Sequence, residues 1–198
     1  TKQTELQQLK KQINPHFLYN TLDSIRWIAV IQKNSGIVKM VTALSGLLKN
    51  MAKGFNEKVT LKKELEFLND YVTIEKVKYV ELFDLEIQVD DPGLYEAKVI
   101  KLTLQPLVEN ALKYGTNCSP PWRVKIYSII QDDFWKICVE DTGPGFSEEA
   151  IQHLDTQIQT FASNSSEMPK LQINGLGLAN IYIRMSIYFE HDFIFEYG

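Results

Sequence analysis

Residues 104–115 read LQPLVENALKYG, and their spacing decides how the second half of the chain is built. Successive helix positions lie about 100° apart, so Leu104, Leu107, Val108, Ala111 and Leu112 share one stripe while Glu109, Asn110 and Lys113 cluster on the other face. A merely solvated face would read similarly. Asn, however, disfavours helix interiors because its side chain competes for backbone hydrogen bonds, and here it stands beside a carboxylate and an ammonium. An amide oxygen can complete a Mg²⁺ shell, and a lysine can reach phosphate oxygens.

Two glycine boxes follow. In VEDTGPGF (139–146) an acidic residue ends a predicted strand, and Gly143 and Gly145 let the backbone turn tightly and approach a flat ligand. Asp141 can then accept a hydrogen bond from an exocyclic amine such as that of adenine. In NGLGLAN (174–180), Gly175 and Gly177 immediately precede a predicted helix, whose unpaired N–H groups and dipole favour phosphate. Either box alone is equally a turn before an ordinary element; the order Asn box, D-x-G-x-G box, loop and G-x-G box is specific.

Upstream, Leu6, Leu9 and Ile13, then Leu18, Leu22, Ile25 and Ala29, keep helical spacing. After the turn-like KNSG (33–36), Ile37, Val41, Leu44, Leu48 and Met51 repeat in a 4-3-4-3 pattern, as in a packing seam. Two helices joined by a short turn form an antiparallel hairpin too thin to bury both faces, so a dimeric four-helix bundle is expected. Thr60 offers an N-cap to a helix near 61–79. From Phe83 the period changes to two, with Leu85, Ile87 and Val89 leading to DDPG; a helix at about 103–114 follows, then a hairpin of 124–130 with 134–140 around QDD. Residues 146–174, rich in Ser, Asn and Gln, are expected to be a long loop, and a helix near 176–188 and a strand at 193–197 close the chain. The expected fold class is α+β: a helical hairpin (1–57), then a mixed α/β domain (58–198).

Composition excludes several classes. The 198 residues are 44% apolar and 23% charged with a net charge of −4, which fits a globular protein and disfavours a polyanionic partner such as nucleic acid. Two cysteines, Cys118 and Cys138, are too few and too far apart for a zinc ribbon and fit a reducing compartment. No run of about 18 apolar residues suggests a membrane span, and TKQTELQQLKKQ (1–12) is too polar for a signal peptide.

The three boxes in this order resemble the GHKL ATP-binding fold shared by histidine kinases, gyrase, Hsp90 and MutL, and LKKQINPHFLYNTLDSI with LQPLVENALKYG resembles sensor histidine kinases of the LytS/YesM type. The resemblance covers almost the whole chain. It implies an α/β sandwich that binds ATP and Mg²⁺, with Asn110 on the metal, Lys113 near the phosphates, Asp141 on adenine, Gly143, Gly145, Gly175, Gly177 and Leu178 around the nucleotide, and residues 146–174 as the ATP lid. It implies a homodimer, His16 as phosphoacceptor, a response-regulator receiver domain as partner, and a cytoplasmic position below a missing upstream sensory and membrane-spanning portion. Tyr114 stands where the family commonly has His, and the chain stops at Gly198 before the family's closing strand, so its C-terminal end is expected to be truncated. A GHKL ATPase that clamps as a dimer, or a degenerate kinase acting as a scaffold, are the alternatives.

His16 lies in NPHFLYN (14–20). With Ile13 set at 0° and steps of about 100°, Leu18, Leu22, Ile25 and Ala29 fall at roughly 120–180°, whereas His16, Asn20 and Asp23 fall near 300°, 340° and 280°. His16 and Asn20 therefore share an exposed face. Pro15 either starts the helix as its first-turn proline or kinks one that runs on from about residue 5; the spacing of Leu6, Leu9 and Ile13 favours the kink. An imidazole needs orientation more than deprotonation to act as a nucleophile. Phe17 occupies the place after the His where many histidine kinases carry an acid, so base or orienting help is expected from Glu109 first and Asp23 second. Asn20, one turn beyond His16, is placed to position a water or a phosphoryl oxygen during dephosphorylation of the partner. His153 and His191 are expected to be solvated, and Arg184 to make a structural ion pair.

Overall fold

A computed structural model describes residues 15–52, 58–80, 82–163, 177–190 and 192–198. The hairpin is present as α1 (Pro15–Ile31) and α2 (Ser35–Ala52). The turn between them works because Lys33 adopts a left-handed conformation, φ 55°, and the Asn34 side chain caps α2 by accepting from the N–H of Ile37 at 3.1 Å. Ala29, Val41 and Ala43 are buried where the helices meet. Ile37, Leu44 and Met51 from the expected seam stay largely exposed. The start-or-kink question at Pro15 rests on residues 1–14, which lie outside the described residues.

A three-residue strand, β1 (Lys58–Thr60), leads into α3 (Leu61–Lys78), and Thr60 caps that helix as its sequence predicts, accepting from the N–H of Lys63 at 3.2 Å. Then come β2 (Phe83–Gln88), a 3-10 turn (Pro92–Glu96), β3 (Lys98–Ile100), α4 (Leu104–Gly115), β4 (Trp122–Gln131), β5 (Phe134–Asp141), α5 (Glu148–Ser163) and α6 (Leu178–Phe189). β2, β4 and β5 form a mixed sheet in the order β2-β4-β5, parallel between β2 and β4 and antiparallel between β4 and β5. The QDD turn closes the hairpin, with Gln131 opposite Phe134 and Asp132 at φ 49°. β1 and β3 pair separately, antiparallel.

One sheet face carries the core. Phe83, Trp122, Val124 and Ile126 point at Leu61, Leu68 and Val72 of α3 and at Leu104, Val108, Ala111 and Leu112 of α4. Each fully buried large side chain contributes about 1.5–3 kcal/mol, so this layer fixes α4 on the sheet. The hairpin joins the same body through packing of α2 on α3. There Lys101, 1% exposed, donates to the carbonyl of Asn50 in the last turn of α2 at 2.5 Å.

Two expectations are corrected. Residues 148–163 are a helix, not a loop: Ser147 caps it, accepting from the N–H of Ala150 at 3.2 Å, and Ile151, Leu154, Ile158 and Phe161 form a narrow stripe with Leu154 buried. Residues 193–197 form no strand. Their side chains, rather than a backbone ladder, hold them: Phe193 and Phe195 set their rings against Tyr182, with centroids 5.4 and 5.7 Å away, and Glu196 pairs with Lys136 of β5 at 2.6 Å.

Candidate active site

The polar face of α4 is positioned from the helix start. Thr103, its N-cap, makes no side-chain capping bond. A carboxylate from α3 takes that role: Glu64 accepts the N–H groups of Leu102, Thr103 and Leu104 at 2.8, 2.6 and 2.9 Å. Burial raises the Glu64 pKa despite these bonds and the nearby Arg184. With the apolar stripe against the sheet, Glu109 and Lys113 face solvent and Asn110 is half-buried. Glu109 lies near Tyr71 of α3, whose hydroxyl is pushed up first by burial and then by the carboxylates of Glu75 and Glu109. Lys113 reaches over the ring of Tyr114, 5.4 Å from its centroid.

Beyond β5 the chain turns against the end of α4. Asp141 is the last residue of the strand, and its Oδ1 accepts the N–H of Gly143 at 2.7 Å. Thr142 is pinned to β4: its N–H donates to the carbonyl of Arg123, and its hydroxyl accepts from the N–H of Arg123, both at 3.1 Å. A Cβ at position 143 would lie 2.5 Å from Asp141 Oδ1 and 3.8 Å from the backbone nitrogen of Gly115. The D-T-G turn thus meets α4 two residues after Lys113. Gly145 takes φ +74° with open space where a side chain would be.

α6 starts at Leu178 with Gly177 as its N-cap, in an extended conformation and, among the described residues, with nothing within 4 Å of a notional Cβ. Asn180, in the first turn, holds its Oδ1 buried without a hydrogen bond among the described residues. A helix N-terminus opened by glycine, with a buried amide oxygen in its first turn, suits a phosphate-bearing ligand. Gly175 lies outside the described residues. Arg184, two turns into α6 and 3% exposed, donates to the main-chain carbonyls of Leu102, at 3.2 Å, and of Lys101. Burial lowers its pKa, against the pull of Glu64. It holds main chain, where the sequence reading expected a structural ion pair.

His16 and Asn20 are exposed on α1, and the Asn20 amide nitrogen lies 3.2 Å from His16 Nδ1. Asp23 is committed elsewhere, accepting from Arg26 Nη2 at 2.9 Å and Nε at 3.1 Å. His16 thus lies on the hairpin, and α4 meets the β5 turn at Gly115 and Gly143. His153 is exposed on α5; His191 lies outside the described residues. Among the described residues no group of three His, Cys, Asp or Glu side chains is placed to hold a metal ion.

Sequence reasoning missed Glu64 and Lys101, whose charges read as solvated positions. A signal existed for Glu64: it falls three residues after Leu61 and four before Leu68, inside the apolar stripe of α3.

Residues 4–83 match the histidine kinase family, and residues 95–189 match the histidine kinase-, DNA gyrase B- and HSP90-like ATPases. The chain belongs to the histidine kinases. It is 34% identical over 189 residues to the sensor histidine kinase YesM of Bacillus subtilis strain 168, covering 95% of this chain and 30% of that protein. It is 29% identical over 185 residues to the sensor protein LytS of Oceanobacillus iheyensis, covering 93% and 30%. The solved catalytic domain of histidine kinase ThkA overlays with a TM-score of 0.38 at 19% identity, covering 66% of this chain and 78% of that one. This histidine kinase chain thus spans 30% of the length of these two sensor relatives. Its second part is an ATP-binding domain of the ATPase family named above. Among the described residues no helix is long and apolar enough to cross a membrane.

Proposed function

We propose that this chain is the kinase portion of a two-component sensor: an ATP-dependent protein-histidine kinase that phosphorylates His16 and passes the phosphoryl group to an aspartate of a response-regulator receiver domain. Residues 1–57 are the dimerisation and phosphotransfer hairpin, and 58–198 the catalytic domain. The observation that carries the reading is the pairing of an exposed His16–Asn20 couple on α1 with a D-T-G turn packed on the helix that bears Asn110 and Lys113.

Asp141 keeps one oxygen on the Gly143 N–H and offers the other to the adenine amine. Asn110 would complete the Mg²⁺ shell, Lys113 would neutralise phosphate charge, and Gly177 and Leu178 would present the α6 N-terminus to the phosphates. Turning the Asn20 amide over from the Nδ2···Nδ1 contact of the structure would let its oxygen accept from Nδ1–H and leave the lone pair on Nε2. That nitrogen forms the bond to phosphorus as the bond to the departing ADP oxygen breaks, and the imidazole proton leaves to a base. Glu109 is the first candidate for the base; the pairing of Asp23 with Arg26 weakens the second. The half-open seam of Ile37, Leu44 and Met51 supports a homodimer through the hairpin. A cytoplasmic location in a membrane-attached protein follows from the resemblance to sensor histidine kinases.

Incubation with Mg-ATP tests the reading. Acid-labile, alkali-stable phosphate that disappears in His16→Ala is expected. ATP hydrolysis without label would point instead to a clamping ATPase, and neither activity to a scaffold.

A further inference from the structure

Residues 101–104 are held from two sides by buried charges on different helices. Glu64 of α3, 1% exposed, takes the N–H groups of Leu102, Thr103 and Leu104, and Arg184 of α6 donates to the carbonyls of Lys101 and Leu102. Between them Leu102 sits at φ 57°, a conformation that leucine keeps only where its surroundings impose it. Five residues beyond Leu104 the helix presents Glu109, and six residues before Arg184 stands Leu178. At 1.5 Å per residue, each arm of the clasp ends about 8–9 Å along its helix from the groups that would face the nucleotide.

We propose that Glu64 and Arg184 are positioning residues for nucleotide binding: by clasping residues 101–104 they fix the first turn of α4 against α6. They thereby set the spacing between the Asn110 and Lys113 face and the N-terminus of α6. The inference rests on the reading of α4, the β5 turn and α6 as the ATP site. Both side chains are buried and neither meets the nucleotide. With the clasp loosened, the two helices share one ligand only after realignment, and that cost is drawn from binding. Bound ATP then reacts from the same aligned state, so affinity suffers and the rate at saturation does not.

Two variants test this independently. Glu64→Gln keeps the shape but turns an NH₂ toward a backbone donor, and Arg184→Lys keeps the charge but cannot fork across carbonyls of two residues. Each is expected to raise the KM for Mg-ATP at least fivefold in autophosphorylation, with the rate at saturating ATP within twofold of the parent. The double variant should be no worse than threefold beyond the weaker single variant, because both act on one segment. Val72→Ala, a cavity in the same α3 away from the clasp, is the control: it should lower the thermal midpoint with the KM unchanged. Folded Glu64→Gln or Arg184→Lys protein with parental KM overturns the proposal, as does a KM rise in Val72→Ala equal to theirs. Should Glu64→Gln fail to fold, Arg184→Lys decides alone. Failure of the underlying reading looks different: Asp141→Asn and Asn110→Ala would then also bind Mg-ATP like the parent.

Discussion

Replacing Gly143 by Ala tests the proposed contact of Asp141 with adenine. The new Cβ would stand 2.5 Å from Asp141 Oδ1, about 0.9 Å inside ordinary contact. The carboxylate must swing away, which breaks its 2.7 Å bond from the Gly143 N–H. A hydrogen bond to a charged group is worth about 1.5–3 kcal/mol when sheltered and less where solvent competes. Asp141 is exposed, so the bond itself contributes about 1 kcal/mol or less to stability, and the thermal midpoint without nucleotide should barely move. Affinity should fall much further, because a carboxylate displaced by about 1 Å no longer meets the adenine amine; losing a well-placed charged contact of about 1.5–3 kcal/mol weakens binding about 10- to 100-fold. Titration with a fluorescent ATP analogue, with GTP as competitor, reads this directly. Gly145→Ala is the contrast: its left-handed φ of +74° faces open space, so it should cost about 1 kcal/mol of stability. If Gly143→Ala binds ATP as tightly as the parent while Asp141→Ala does not, the Asp141–Gly143 bond does not place the carboxylate, and the argument fails.

Burial raises the Glu64 pKa above its ordinary 4.5, so the folded state binds that proton more tightly than the unfolded chain. Its contribution is full below about pH 4.5 and is lost as pH rises through the folded pKa; the stability of the parent relative to Glu64→Gln should shrink over that window, and a difference that grows would refute the sign. Leu154→Ala removes the one buried side chain of α5 and should cost about 2–4 kcal/mol locally, so hydrogen exchange across 148–163 should accelerate while β4 and β5 keep their protection. Equal protection of α5 in parent and variant would refute its packing role. Asn20→Ala should slow dephosphorylation of the regulator about tenfold, the worth of one hydrogen bond of about 1.4 kcal/mol, and an unchanged rate would remove Asn20 from that step. Glu109→Gln should slow single-turnover autophosphorylation; a parental rate would end its candidacy as base.

Elements whose signal is local were legible in the sequence. The two faces of α4, the Thr60 cap, the KNSG turn and the β4–β5 hairpin each depend on residues within a turn or a strand of one another. α5 was missed because it buries one leucine and its other positions are mostly polar, so amide-rich composition outweighed the Ile151, Leu154, Ile158, Phe161 spacing and the Ser147 cap. The pairing of β1 with β3 joins three residues to three across about forty positions, too short a pattern to announce itself. The absence of a ladder at 193–197 has the same root: alternation predicts a strand, but pairing depends on what lies beside it. For the site, the sequence named Asn110, Asp141 and the glycines as chemistry, yet it could not show that Glu64 and Arg184 hold the frame. A charged residue is read as solvated until its partners, here 38 to 83 positions away, are in view.

The change of pattern between the hairpin and the sheet domain suggests two parts divisible near residue 57. The ammonium of Lys101 ties the two together, since it belongs to the strand–helix connection of one part and bonds to the carbonyl of Asn50 in the other. The hairpin therefore finishes the interior of the domain that follows it. A fragment beginning at Lys58 would present to water the side of α3 that α2 covers and would strip a buried cation of one of its oxygens. The packing of α2 on α3 thus belongs to both parts, and comparisons of ATP binding are best made on protein that keeps α2.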